Sequence, residues 1–117
     1  MLRKSDFDPS NPPAIELSDA TIPSQYALQQ NYPNPFNPST TIEFGVPENH
    51  RGPVTLRIYN MLGQLVRELE DAEIRPGVYR KMWNGQDEQG RQVSSGVYIY
   101  QMRAGDFTAS RKLVMMK

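Results

Sequence analysis

Cysteine is absent from the 117 residues, which excludes disulfides, thiolate nucleophiles and cysteine-built zinc sites. Histidine occurs once, as His50, between Asn49 and Arg51-Gly52. A lone imidazole beside Gly and Pro lacks the partners of a base or metal ligand and reads as a solvated loop residue. Neither sign of charge is in excess, because 13 Lys+Arg balance 13 Asp+Glu. A nucleic-acid surface needs surplus cations, so no nucleic-acid partner is expected. No run approaches the roughly 20 apolar residues of a membrane helix, so no transmembrane segment is expected. No apolar stretch follows Met1-Leu2-Arg3-Lys4 either, so no export leader is expected here. Paired carboxylates, a Ser/His/Asp set and a phosphate-cradling glycine loop are all missing. The expectation is therefore no enzyme, no catalytic residue, no cofactor and no metal. The length allows one domain and not two.

Glycine is missing from the first 44 residues, whereas seven of the ten prolines lie in residues 1–38. Residues 1–25 read as a linker, broken by Pro9, Pro12, Pro13 and Pro23 and filled with Ser, Asp and Asn. Proline removes an amide donor and biases its predecessor away from helix, so this linker is expected to be extended and mobile. Ala14-Ile15-Glu16-Leu17 within it is a short run able to add to a sheet edge. Residues 26–117 read as the folded domain. Its opening, Asn31-Tyr32-Pro33-Asn34-Pro35-Phe36-Asn37-Pro38, cannot be helical. There the two aromatics are expected to bury while Pro fixes the backbone and Asn bonds its own turns.

Short alternating runs follow. Ile42, Phe44 and Val46 share one face, as do Val54, Leu56 and Ile58. Period two marks half-buried strands. Asn60-Met61-Leu62-Gly63 reads as a turn. Gln64 to Leu69 continues as a strand, but Leu65, Val66 and Leu69 do not alternate, which predicts a bulge or a short helical turn. Val78 to Trp83 follows Pro76-Gly77, with Lys81 on the face of Tyr79 and Trp83, its stem expected to snorkel outward. Tyr98, Tyr100 and Met102 form a stripe, Gly105-Asp106 is a hairpin tip, and the last strand runs from Phe107 to about Met116. These elements predict an all-β, antiparallel, immunoglobulin-like β-sandwich of about seven strands with an extended N-terminal linker.

The same residues carry a resemblance. Asn31 to Ile42 (NYPNPFNPSTTI), Val54 to Gly63 (VTLRIYNMLG), Pro76-Gly77-Val78-Tyr79, Trp83-Asn84-Gly85-Gln86-Asp87, Ser95 to Tyr100 (SGVYIY) and Lys112 to Lys117 (KLVMMK) keep the order and spacing of type IX secretion C-terminal sorting domains. That pattern overlaps with the immunoglobulin-like domain of the flagellar hook-capping protein. Asn84 stands where Asp is usual, and Lys81 where an apolar residue is common. The resemblance implies a secretion address at the end of a larger cargo protein, with N-terminal cargo domains. It also implies passage through the periplasm to the cell surface or medium. The implied partners are an outer-membrane translocon, a shuttle protein and a cell-surface sortase. Lys117 is then expected to end the polypeptide.

An edge strand offers unpaired amides and carbonyls to a partner. The expected recognition residues are Gly105 and Asp106 at the hairpin tip and Arg111, Lys112, Leu113, Val114, Met115, Met116 and Lys117 in the last strand. The cations would steer toward an acidic receptor, and Leu113 and Met115 would anchor. Sortase cleavage is expected between about Ile15 and Gln30, where the composition changes. A structural accessory domain of a surface or hook-capping protein is the alternative. A carbohydrate-binding module built on Trp83, Tyr79, Tyr98 and Tyr100 is a further one, although inward aromatics are ordinary core. Asn84, Asp87, Glu88 and Asp106 offer oxygens to calcium but match no EF-hand loop and suit turn-bonding better.

Overall fold

Alternation in the sequence becomes alternation in burial. In the computed structural model, which describes residues 22–116, Val54, Leu56 and Ile58 are completely buried while Thr55, Arg57 and Tyr59 stay partly exposed. The described residues form seven strands, β1 (Ala27–Leu28), β2 (Thr40–Val46), β3 (Pro53–Tyr59), β4 (Leu65–Glu73), β5 (Gly77–Trp83), β6 (Gly96–Ala104) and β7 (Phe107–Met115). They form two antiparallel sheets, ordered β1-β2-β5 and β4-β3-β6-β7. In a constant-type immunoglobulin domain the fourth strand sits beside the fifth. Here it pairs with β3 and so belongs to the other sheet.

The irregular stretch after Gly63 is a bulged strand and not a helical turn. Its register with β3 slips opposite Leu56/Arg57 and again opposite Ile58/Tyr59. The extra residues turn Val66 into the core and leave Leu69 packed against it. The prediction missed β1, because two residues carry no periodic signal.

Aromatic residues fill the space between the sheets. Trp83 packs on Phe36 and edge-on to Tyr98, both at 5.6 Å between ring centres, and its indole N–H donates to the Gln86 carbonyl at 2.9 Å. Trp83, Tyr98 and Tyr100 are buried, so they form core and not a sugar-stacking platform. Lys81 sits inward as its strand position requires, but its ammonium has a partner: Glu70 of β4 lies 2.7 Å away, across the open side of the sandwich.

Two expectations need correction. His50 is buried, not solvated. The loop after β2 folds back so that Nδ1 meets the Tyr26 hydroxyl at 2.6 Å and Nε2 meets the Gly52 carbonyl at 2.7 Å. Only one of the two aromatics in the Pro-Asn segment buries: Phe36 is in the core, whereas Tyr32 is 80% exposed. The linker as far as residue 21, including Ala14 to Leu17, and Lys117 lie outside the described residues.

Candidate functional site

The two ends of the sandwich differ. At one end the chain comes in: Pro23 lies on Gly45, where a Cβ would come within 2.9 Å of the proline ring, and Tyr26 stacks on Phe107 at 5.0 Å. The Gly105-Asp106 tip belongs to this end. Gly105 has φ +61° and Asp106 does not have positive φ, the arrangement of a type II′ turn with glycine first. At the other end lie the Pro-Asn segment, the Asn60–Gln64 turn and the loop after Trp83. Asp106 is thus a strand length away from Asn84, Asp87 and Glu88, and the four suggested calcium ligands do not converge. Asp87 is already committed to its own loop. Its carboxylate accepts the amides of Gln89 and Arg91 at 2.9 Å each and meets the Arg91 guanidinium at 3.1 Å. The Arg91 amide foremost holds the carboxyl below its ordinary value. No cluster of three potential metal ligands occurs among the described residues.

β7 is an edge strand, and its register decides which backbone groups are available. The two-residue turn makes Ala104 and Phe107 a hydrogen-bonded pair, so Ala109, Arg111, Leu113 and Met115 also spend their backbone groups on β6. Thr108, Ser110, Lys112, Val114 and Met116 point theirs outward. Toward the C-terminal end these are covered. The Val114 amide donates to Asn34 Oδ1, its carbonyl accepts the Phe36 amide, and the Met116 amide donates to the Phe36 carbonyl, each at 2.9 Å. Gln30 Nε2 donates to the Lys112 carbonyl at 2.7 Å. Nearer the tip, the N–H and C=O of Thr108 and Ser110 and the N–H of Lys112 have no partner among the described residues.

The side chains divide in the same way. Leu113 is fully buried and Met115 nearly so. They are core residues, and the expected role of surface anchors does not suit them. Arg111 faces inward at the rim, where its Nε donates to the Leu28 carbonyl at 2.6 Å and ties β7 to β1. Lys112 and Met116 are exposed, Val114 is half-buried, and Gly105 and Asp106 are exposed at the tip. Sequence reasoning missed the covering of the strand by Asn34 and Phe36. The spacing of the Pro-Asn segment gives no sign of which strand it will meet.

Residues 30–116 match the family model of the secretion system C-terminal sorting domain. No curated protein matches the chain. Among solved structures, dimeric latent PorU from Porphyromonas gingivalis is similar, with TM-score 0.62 and 17% identity over 79% of this chain. PorZ, an essential bacterial surface component of the type-IX secretion system of the same organism, is similar at TM-score 0.51 and 18% identity, again over 79% of this chain. At such identities the likeness is one of fold. The chain spans 9% of the length of the first and 11% of the second.

Proposed function

The chain belongs to the family of secretion system C-terminal sorting domains, and on that premise we propose that it is the export address of a larger cargo protein. The observation that carries this reading is the match itself, which runs from Gln30 through every later strand to Met116. The family is a class of sorting signals and not of enzymes. The cargo is secreted or held at the cell surface. It reaches the periplasm first, and a shuttle protein then delivers it to the outer-membrane translocon by reading this domain. A cell-surface sortase removes the domain.

An address must be readable after its carrier folds, and β7 supplies such a feature. The outward groups of Thr108 and Ser110 and the N–H of Lys112, without a partner among the described residues, form a short edge on which a receptor strand can pair. The exposed Lys112 beside it favours an acidic receptor surface. Gly105 and Asp106 flank this edge at the tip. Met116 lies beyond it, in the stretch that Asn34 and Phe36 cover. Leu113, Val114 and Met115 act by holding the strand in place, as does Arg111 through Leu28.

Cleavage needs extended chain that a protease can bind. Tyr26 to Asn31 are built into the fold through the Tyr26–His50 bond, β1 and the Gln29 amide, which donates to the Glu43 carbonyl at 2.9 Å. Pro23 is tied down as well, by its packing on Gly45, so the sortase acts before it. Fusing the 117 residues behind a periplasmic leader and a folded reporter, in a cell with the type IX system, tests the reading. The reporter is expected outside the cell with the domain and inside without it; retention with a folded domain contradicts the proposal. Sequencing the ends of the released reporter locates the cut.

A further inference from the structure

The outer face of the four-stranded sheet turns apolar at the end opposite the incoming chain. Leu65, Tyr59, Ile99 and Lys112 lie side by side across β4, β3, β6 and β7, and in the next row Val97 pairs with Val114. Leu65 is 50% exposed and Val97 38%. Beside them the Asn60–Gln64 turn is stapled by Asn60 Oδ1, which accepts the amides of Leu62 and Gln64 at 2.9 and 3.0 Å. That staple holds Met61 and Leu62 in solvent, positions that turns ordinarily give to polar residues. A preformed apolar surface of this kind loses little ordering entropy on docking.

We propose that this face pairs two copies of the chain about a twofold axis parallel to the strands. Such an axis sets β4 of one copy against β7 of the other and β3 against β6, while the apolar end meets its own counterpart. Tyr59 then lies on Ile99 of the second copy, and Leu65 lies along the stem of its Lys112. Charge is complementary about the same axis. Asp71 on β4 and Arg103 on β6 share the row of Thr55, and both are exposed. In the pair, Asp71 faces β7 of the second copy, one strand spacing (about 4.8 Å) from that copy's Arg103, which is within reach of its side chain.

Edge-to-edge association cannot use the same end. The β7 edge is covered by Asn34 and Phe36. The β4 edge is covered by Glu88, whose amide donates to the Val66 carbonyl at 3.1 Å and whose carboxylate accepts the Glu68 amide. The face is left as the available surface. Four strands about 4.8 Å apart and about 27 Å long present about 500 Å² per copy, or about 1,000 Å² in the pair, the low end for a specific contact. Zero net charge leaves no long-range repulsion between copies. The dimer is accordingly weak and concentration-dependent. It is a property of the chain itself and does not depend on the sorting reading.

Sedimentation equilibrium of the 117-residue chain, from micromolar to millimolar concentration, tests it. The wild type is expected to dimerise, and Leu65→Lys, which sets a cation against Lys112, to weaken the dimer about tenfold or more. Asp71→Arg and Arg103→Asp are each expected to weaken it, yet to associate when mixed, because mixing restores both cross-axis pairs. Glu48→Arg mixed with Arg75→Asp, the same charge change away from the face, is expected to gain nothing. A wild type monomeric throughout, a dimer indifferent to Leu65→Lys, or a mixture no stronger than its components would each overturn the proposal. Trp83 fluorescence checks that every variant is folded.

Discussion

Leu113 shows how one side chain separates stability from recognition. Fully enclosed between the sheets, it should cost about 2–5 kcal/mol when cut to alanine, read as a shift of the urea midpoint. A docking anchor would instead leave stability unchanged. Gly85 and Gly63 make a second comparison. Both have positive φ, but a Cβ on Gly85 would stand 2.6 Å from Gln92 Nε2 and 2.9 Å from Met115 Cε, whereas Gly63 has open space. Gly63→Ala is expected to cost about 1 kcal/mol for its backbone alone, and Gly85→Ala clearly more, in the same unfolding assay. Asp87 predicts a pH dependence. Its folded carboxyl is held down foremost by the Arg91 amide, so its stabilisation is present above the ordinary carboxylate range and is lost as pH falls through the lowered value. Asp87→Asn should therefore lower stability at neutral pH and shrink the difference between neutral and acid unfolding midpoints.

At the scale of elements, the segment from Gln29 to Phe36 is what closes the sandwich beside β7. Tyr100 pins it: the hydroxyl donates to the Gln29 carbonyl at 2.6 Å and accepts the Asn31 amide at 2.8 Å. Burial pushes this phenol above its ordinary value, so its contribution is complete below about pH 10 and is lost as pH rises further. Tyr100→Phe strands a buried amide and should cost about 1–3 kcal/mol, with faster hydrogen exchange at Asn31, Val114 and Met116. The strands themselves were legible in the sequence, because a sheet with one wet face writes its period into the chain, as in Val54 to Tyr59. What crosses between strands was not. Lys81 gave no hint of Glu70, which comes from a bulged strand whose register no alternation could fix. His50 looked solvated because the Tyr26 that encloses it lies 24 residues away. Leu113 and Met115 were rightly placed on the last strand, but the inward face was not distinguished from the edge.

For the whole molecule, the polarity of the sandwich organises function. The chain comes in at one end, beside the Gly105-Asp106 tip, and the β7 backbone groups without a partner among the described residues begin there. The far end is sealed on both edges of the four-stranded sheet and presents its apolar face instead. A hydrogen-bonding edge and an apolar face thus adjoin on the four-stranded sheet, with Lys112 belonging to both. The most direct measurement is export of the reporter fusion with Ser110→Pro. Proline there deletes an outward N–H while leaving the β6–β7 ladder intact, a change that edge strands tolerate. With folding verified by Trp83 fluorescence and an unchanged melting profile, the reporter is expected to stay in the periplasm. Undiminished export by that folded variant would contradict recognition through the open edge of β7.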